Sequence, residues 1–343
     1  MTAVCGMATG YVSLAFARIG VAVGEAGGTA PSLSMIADHY RADMRGRAMS
    51  IFWLGPQLGL LFGLTLGGWV AHQYGWRTAF FAMGVPGVVL AMVLRFTAVE
   101  PQRGYWEAAK LNTQKEPFLT VARDLWASRA FSRITLVGLM MGFAGYGIGI
   151  WTPAFLVRSH GMSLQAAGAV MGLLGGTAAV IGTLISGWLC DRLSKNDPRW
   201  RLGVPSIGSL LAVPSGLAFF MLEPGGHWVA FNVNIPHAVG FYMLFALTAA
   251  SWTAPINSAL TELVPPQRRA TSLAVFNLGM TMVGAGFGPL FVGFLSDFMT
   301  PSFGNDGLRW ALASSTVSCY LAGFFLFLAS LNPFKIERIQ AVS

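Results

Sequence analysis

Charge is scarce in this sequence. Of its 343 residues only 10% are Asp, Glu, Lys or Arg, while 54% are apolar. Soluble globular chains carry about 25% charged residues, so this composition cannot supply a water-facing surface for a chain of this length. Cysteine is scarce too. Cys5, Cys190 and Cys319 are odd in number and far apart, which excludes a disulfide framework and the paired spacing of a zinc site. Core packing is what remains for them. There is no Walker loop, nucleophile elbow or zincin pattern, so neither ATP-driven pumping nor an enzyme's chemistry is expected of this chain. No cofactor and no metal are expected. The formal charge of +8 would suggest nucleic acid only if the basic residues clustered on a soluble face, and they do not. No basic residue precedes the apolar start at Met1, so no cleavable signal peptide is expected.

What is abundant is uninterrupted apolar sequence. No Asp, Glu, Lys or Arg occurs in 48–76, 134–157, 159–190, 202–222, 224–261, 270–296 or 310–334. A helix needs about 20 apolar residues to cross a hydrocarbon layer of roughly 30 Å. The runs do not alternate every second residue as barrel strands would, and helices are the other way to satisfy the backbone in lipid. The fold class is therefore all-α integral membrane. Helices are expected near 11–38, 48–71, 78–97, 132–155, 164–189, 203–222, 236–262, 271–297 and 308–332, after a stub at 1–9. The stretch 1–37 is too long for one crossing and too short for two, which points to a helix that has lost its beginning.

Positive charge orients the chain. Arg41, Arg45, Arg47, then the seven Lys and Arg of 95–133, then Arg192, Lys195, Arg199, Arg201, then Arg268, Arg269, then Lys335, Arg338 lie in alternate connections. The opposite connections hold only Arg77, Arg158 and Arg309. The first set is expected to be cytoplasmic, with both termini inside, in a membrane of the bacterial inner (plasma) type. The segment 95–133 holds 11 of the 36 charged residues. It reads as a cytoplasmic linker with a short amphipathic helix on the membrane surface. The domains are then a bundle over 1–97, a linker over 98–131 and a bundle over 132–343.

A shift of 224 pairs Ala30-Pro31 with Ala254-Pro255, Ser34 with Ser258, Asp38 with Glu262, Arg45 with Arg269, Phe52 with Phe276, and Leu54-Gly55 with Leu278-Gly279. Each member is a helix, a short basic turn and the next helix, which supports two related halves. The repeat implies a protein of six plus six helices. Roughly 90 residues, about two and a half helices at 1.5 Å per residue, are expected ahead of Met1.

Two ionisable residues, Arg18 and Glu25, fall inside the helix expected at 11–38. A charge in mid-membrane costs at least roughly 2.5–3.5 kcal/mol, so such residues usually face a cavity and function there. Seven residues apart, they share a helix face. Glu25 lies about 21 Å from the outer end, near the midplane, and Arg18 about 10 Å further out. A structural ion pair between helices is the plainer alternative. Gly55, Gly59, Gly63 and Gly67 form a small-residue stripe that reads first as a helix-packing surface and second as one that slides. At inner helix ends sit Gly187, Asp191, Arg192 and Lys195, then Asp38 with Arg45, then Glu262 with Arg269. An acid in a last helical turn opposes the dipole and wants a basic partner; a partner lost on opening would make a cytoplasmic gate, and a solvated helix end is the alternative. Tyr146, Trp151, Thr152, Trp252, Asn257 and Asn277 are candidates for a cavity lining, and equally for core packing or an interface belt. The histidines lie mostly near helix ends and read as interface residues.

Residues 18–26, Arg-Ile-Gly-Val-Ala-Val-Gly-Glu-Ala, with Ala30-Pro31 and Ile36-Ala37-Asp38, resemble the fourth helix of the spinster-like branch of the major facilitator superfamily. Gly187 to Lys195 resembles the superfamily's cytoplasmic loop motif in its second-half copy, and Trp76-Arg77-Thr-Ala-Phe80-Phe is similar to the start of the branch's sixth helix. The resemblance implies two six-helix bundles, the N-terminal one truncated here to its third to sixth helices. It implies secondary transport by alternating access, proton coupling through Glu25 with Arg18, and a small amphiphile or lipid-like anion as substrate. The partners expected are then that substrate, protons and the bilayer, for a monomer. Anion-cation symporters of the same superfamily share a similar arginine and glycine-glutamate-alanine run. The first-helix acid and the first-half loop motif have no counterpart in this chain, which keeps a truncated, non-transporting membrane protein as a further alternative.

Overall fold

A few residues set where the long apolar runs start and stop. The structure is a computed structural model, and it describes residues 1–26, 66–97, 117–223, 225–230, 233–265 and 268–342, with isolated residues between 28 and 63. Asp38, Arg45 and the first-half side of the internal repeat around Ala30-Pro31 lie outside the described residues. The chain divides into two compact units, Met1–Gln114 and Lys115–Ser343.

In the first unit, α1 (Thr2–Cys5) is a single turn, followed by α2 (Tyr11–Ala26) and α3 (Trp76–Thr97). The stub expected at 1–9 is thus a short helix docked on α3. A Cβ on Gly84 would lie only 2.5 Å from the Ala3 amide nitrogen, so the missing side chain is what allows this approach. Beyond the turn, the Arg77 guanidinium donates from Nε and Nη2 to the Ala8 carbonyl at 3.3 and 3.0 Å. That carbonyl lies where the chain leaves helical geometry and has no helical donor of its own.

The second unit opens with α4 (Phe118–Ala127) and α5 (Arg129–His160). Ser128 separates them, its hydroxyl accepting from the Phe131 amide at 3.0 Å as an N-cap. Gly161 ends α5 in the left-handed region, φ 64°, which favours glycine. Ser163 then caps α6 (Leu164–Leu193). There follow α7 (Trp200–Met221), a hairpin of β1 (His227–Ala230) and β2 (Val233–Pro236), α8 (Ala238–Ala249), α9 (Thr253–Glu262), α10 (Arg269–Gly279), α11 (Gly288–Phe303) and α12 (Gly307–Val342). Six helical runs among the described residues are long and apolar enough to span a membrane. One of them, Thr271–Ile339, reverses at Gly304, φ 59°, and so provides two antiparallel helices.

Four sequence expectations change here. The helix expected over 236–262 is two helices with a break at 250–252, because Pro255 has no amide to donate to the Ser251 carbonyl. The hairpin between α7 and α8 was not anticipated. The helices over 164–189 and 271–297 each contain a π-helical stretch, Val170–Gly176 and Met280–Phe287, in glycine-rich sequence. The last helix does not stop near 332. Pro333 leaves the Ala329 carbonyl without its helical donor, and Arg133 Nη1 donates to that oxygen at 2.9 Å, so the helix continues to Val342.

The core of the second unit packs α7 against α8 and α12, and α5 against α12, α11 and the second π stretch. Phe155, Phe219, Phe220, Tyr242, Phe245 and Tyr320 form a continuous ring cluster with centroids 4.7–6.2 Å apart. The helix-packing reading of Gly55, Gly59, Gly63 and Gly67 falls on a stretch much of which lies outside the described residues. Among the described residues, nothing lies within 4 Å of a Cβ built on the first three, and on Gly67 only Met83 Cε lies at that limit. Close glycine packing is found in the second unit. A Cβ on Gly182 would sit 2.0 Å from the Leu247 carbonyl oxygen, and one on Gly288 2.5 Å from that of Phe143.

This contrast sets an expected order of damage. Gly182→Val and Gly288→Ala force backbones apart and should destabilise by about 1–3 kcal/mol or more, while Gly149→Ala, with nothing within 4 Å of its Cβ among the described residues, should melt like the parent. Thermal denaturation of the purified variants in detergent checks this; equal melting of all three would remove the close-approach argument.

Candidate functional site

Most charged groups of the second unit gather at one end, where α6 stops, α7 starts, α9 stops and α12 overshoots, while Arg309 and Asp306 pair at 3.5 Å at the other. Asp191 in the last turn of α6 accepts from Arg201 Nη1 at 2.7 Å. Arg201 also places Nε 2.8 Å from Glu262 Oε1, and Arg338 Nε lies 2.6 Å from Glu262 Oε2. The contacts at Arg201 Nε and Glu262 Oε2 are ion pairs by distance, without well-aligned hydrogen bonds. Lys335 reaches Asp197 at 3.6 Å. Glu337 completes the set: Ser128 Oγ donates to its Oε2 at 2.5 Å and the Ala130 amide to its Oε1 at 3.0 Å. This places a carboxylate at the N-terminus of α5, where the helix dipole favours it. Arg268 at the start of α10 pairs with Asp124 of α4 at 3.1 Å.

Asp191 therefore has the basic partner its position demanded, but the partner is Arg201, not the adjacent Arg192. The Arg192 guanidinium lies 5.3 Å from the Trp188 ring centroid. Lys195 has no ion pair among the described residues, and Arg269 donates to the Thr261 carbonyl at 3.1 Å. Gly187 has open space beside it. Among the described residues, the partners in this network belong to the second unit, where the pairs tie helix ends together. Arg201, Arg338, Lys335 and Glu337 were the residues sequence reasoning missed. The signal was the Lys-Ile-Glu-Arg run at 335–338, counted only for the positive charge of Lys335 and Arg338.

The other expected site residues separate. Arg18 and Glu25 are both exposed on α2, and neither has a hydrogen-bond or ion-pair partner among the described residues. Tyr146 is 42% exposed and Asn277 half-buried, and both remain available to a cavity. Thr152 and Trp252 are buried, at 1% and 8% exposure. The Thr152 hydroxyl is used on its own helix, donating to Ile148 O at 2.8 Å. Trp151 donates from Nε1 to the Pro289 carbonyl at 2.8 Å, and Asn257 from Nδ2 to the Thr253 carbonyl at 2.8 Å; both have structural partners. At the opposite end of the bundle an open pocket of about 370 Å³ is lined by Arg158, Ser159, Glu223, Asn305, Asp306 and Arg309.

An apolar many-helix chain with its ion pairs at a bundle end is a multi-pass membrane protein, and comparison with known proteins gives the family. The Major Facilitator Superfamily profile matches residues 1–289. An MFS-type efflux pump of Mycolicibacterium smegmatis is 33% identical over 99% of this chain and 76% of its own length. The sphingosine-1-phosphate transporter SPNS2 of Xenopus tropicalis is 25% identical over 91% of this chain and 60% of its own. Among solved structures, a bacterial homolog of the human lysosomal transporter Spinster, inward-facing and unoccupied, superposes with a TM-score of 0.70 at 25% identity, covering 99% of this chain and 80% of that one. The chain belongs to the Major Facilitator Superfamily, a family of membrane transporters and not of enzymes, and it is similar to the spinster branch within it.

Glu262 is the centre of the ion-pair network, 22% exposed between two guanidiniums, whereas Asp191 is 72% exposed. Glu262→Gln should lower stability by about 1–2 kcal/mol and Asp191→Asn by no more than about 1 kcal/mol. Melting of the two variants side by side checks the order. The Arg199 amide first, and then the Lys335 and Arg199 charges, hold the Asp197 carboxyl below its ordinary 3.8. A depressed carboxylate stabilises above its unfolded pKa and loses that contribution as the pH falls through the folded value. Asp197→Asn should therefore melt slightly below the parent at neutral pH and converge with it well below pH 3.8; a gap that persists in acid would contradict the assignment.

Proposed function

We propose that this protein is a secondary transporter working by alternating access, coupled to protons through Glu25. Its substrate is a small amphiphile or lipid-like anion whose charged group meets Arg18. The observation that carries this reading is the pair itself: one acid and one base on an otherwise apolar helix, both without a partner among the described residues. In hydrocarbon such groups need a polar counterpart or an aqueous cavity, and a transporter supplies both in turn. Desolvation favours the protonated carboxyl, and a nearby cation favours the carboxylate. A carboxyl that alternates between these surroundings takes up a proton on one side and releases it on the other.

The frog relative is by its name a sphingosine-1-phosphate transporter, which supports a lipid-like anion. The excess of Lys and Arg in alternate connections supports cytoplasmic termini in a plasma-type membrane. The gate reading of Asp191 and Glu262 is narrower than the sequence suggested. Among the described residues, their pairs lie within the second unit, where they tie helix ends together. An anion-cation symporter is the second reading, favoured by the same Arg18 and the Gly24-Glu25-Ala26 run.

Proteoliposome uptake of sphingosine 1-phosphate and lysophospholipids under an imposed pH gradient tests the proposal. Glu25→Gln should abolish gradient-driven accumulation while leaving exchange of substrate intact, and Arg18→Ala should weaken substrate affinity. A Glu25→Gln protein that still accumulates substrate in response to the gradient would return Glu25 to a structural role.

A further inference from the structure

We propose that α4 and the first turn of α5 form a binding surface for anionic phospholipid headgroups, holding the entry to the second bundle at the membrane-water boundary. The helix has two faces. Val121 and Leu125 are buried at 3% and 4% exposure and dock α4 on α5 and α10. Leu119, Arg123 and Trp126 follow one another at i, i+4 and i+7, so they form a strip on one side of the helix. Leu119 is 79% exposed and Trp126 48%. A tryptophan beside a large aliphatic and an arginine is the composition that settles at the headgroup level.

Charge identifies the partner. Among the described residues, the two acids near this surface are engaged, Asp124 by Arg268 at 3.1 Å and Glu337 by Ser128 and the Ala130 amide. Arg123 and Arg129 are exposed and have no partner among the described residues. The surface is thus cationic and apolar together, which suits a phosphate group above acyl chains. Position makes it continuous with the bilayer the protein already occupies. Ser128 alone separates α4 from α5, and the charge-free run of α5 begins at Ile134, just over one helical turn after Arg129. A phosphodiester there would accept from two guanidiniums while Leu119 and Trp126 leave water.

The test uses the whole protein in lipid nanodiscs. All three native cysteines are buried, so a nitroxide can be placed at L119C alone. It is expected to be shielded from a water-soluble nickel relaxant and reached by dissolved oxygen. A label relaxed by nickel as freely as a small nitroxide in water would overturn the proposal and leave the strip to a soluble partner. Native mass spectrometry supplies the second readout. The parent should retain phosphatidylglycerol in preference to phosphatidylcholine, and R123Q with R129Q should reduce that preference by about fivefold for each arginine removed, with unchanged melting because neither side chain has a structural partner. A parent without preference, or a double variant that keeps it, would sink the lipid assignment.

Discussion

Backbone hydrogen bonding in a medium without water is the constraint on which this structure depends. Each amide and carbonyl in hydrocarbon must find its partner inside the protein, and helices do this within one segment. The places where the ladder is broken show how strict the demand is. Pro333 removes an amide, and the carbonyl it strands is taken by Arg133 from another helix. The Ala8 carbonyl, at the end of the opening turn, is taken by Arg77. In both cases an arginine that sequence reading counted only as charge is a donor to backbone.

Many buried hydroxyls follow the same rule, although those of Thr135, Ser251, Ser272 and Ser315 have no hydrogen-bond partner among the described residues. Thr152, Ser209, Ser215, Thr248, Thr316 and Ser330 each donate to a carbonyl one turn back on their own helix. A polar residue in these helices is therefore not by itself a sign of a binding cavity. What remains unanswered by local bonding is more informative, and that is why Arg18 and Glu25 stand apart from the rest. They are ionisable and have no described partner, a state that lipid penalises and a transport pathway accommodates.

Where water is available, charge does a different job. The pairs Asp191–Arg201, Arg201–Glu262 and Glu262–Arg338, with Glu337 at the head of α5, tie together the ends of α6, α7, α9 and α12 and the start of α5. Exposed pairs contribute little singly, but a carboxylate shared between two guanidiniums links three helix ends at once. Together with the glycine contacts of Gly182 and Gly288, this network ties the helices of the second unit together.

The sequence by itself determined that the chain is helical and membrane-embedded, roughly where each span lies, which ends are basic, and which two charges are out of place. Hydropathy and charge can be read residue by residue because the bilayer acts as a nearly uniform solvent along each segment. The tertiary structure alone decided that Gly182 and Gly288 are glycines at close backbone approaches. It also decided that Asp191 pairs with Arg201 and not with its neighbour Arg192, that Thr152 and Trp252 are core, and that the last helix runs past Pro333. Each of these depends on how one helix is rotated and displaced against another. Such geometry is set by interlocking side chains from distant parts of the chain, and no spacing within a single segment records it.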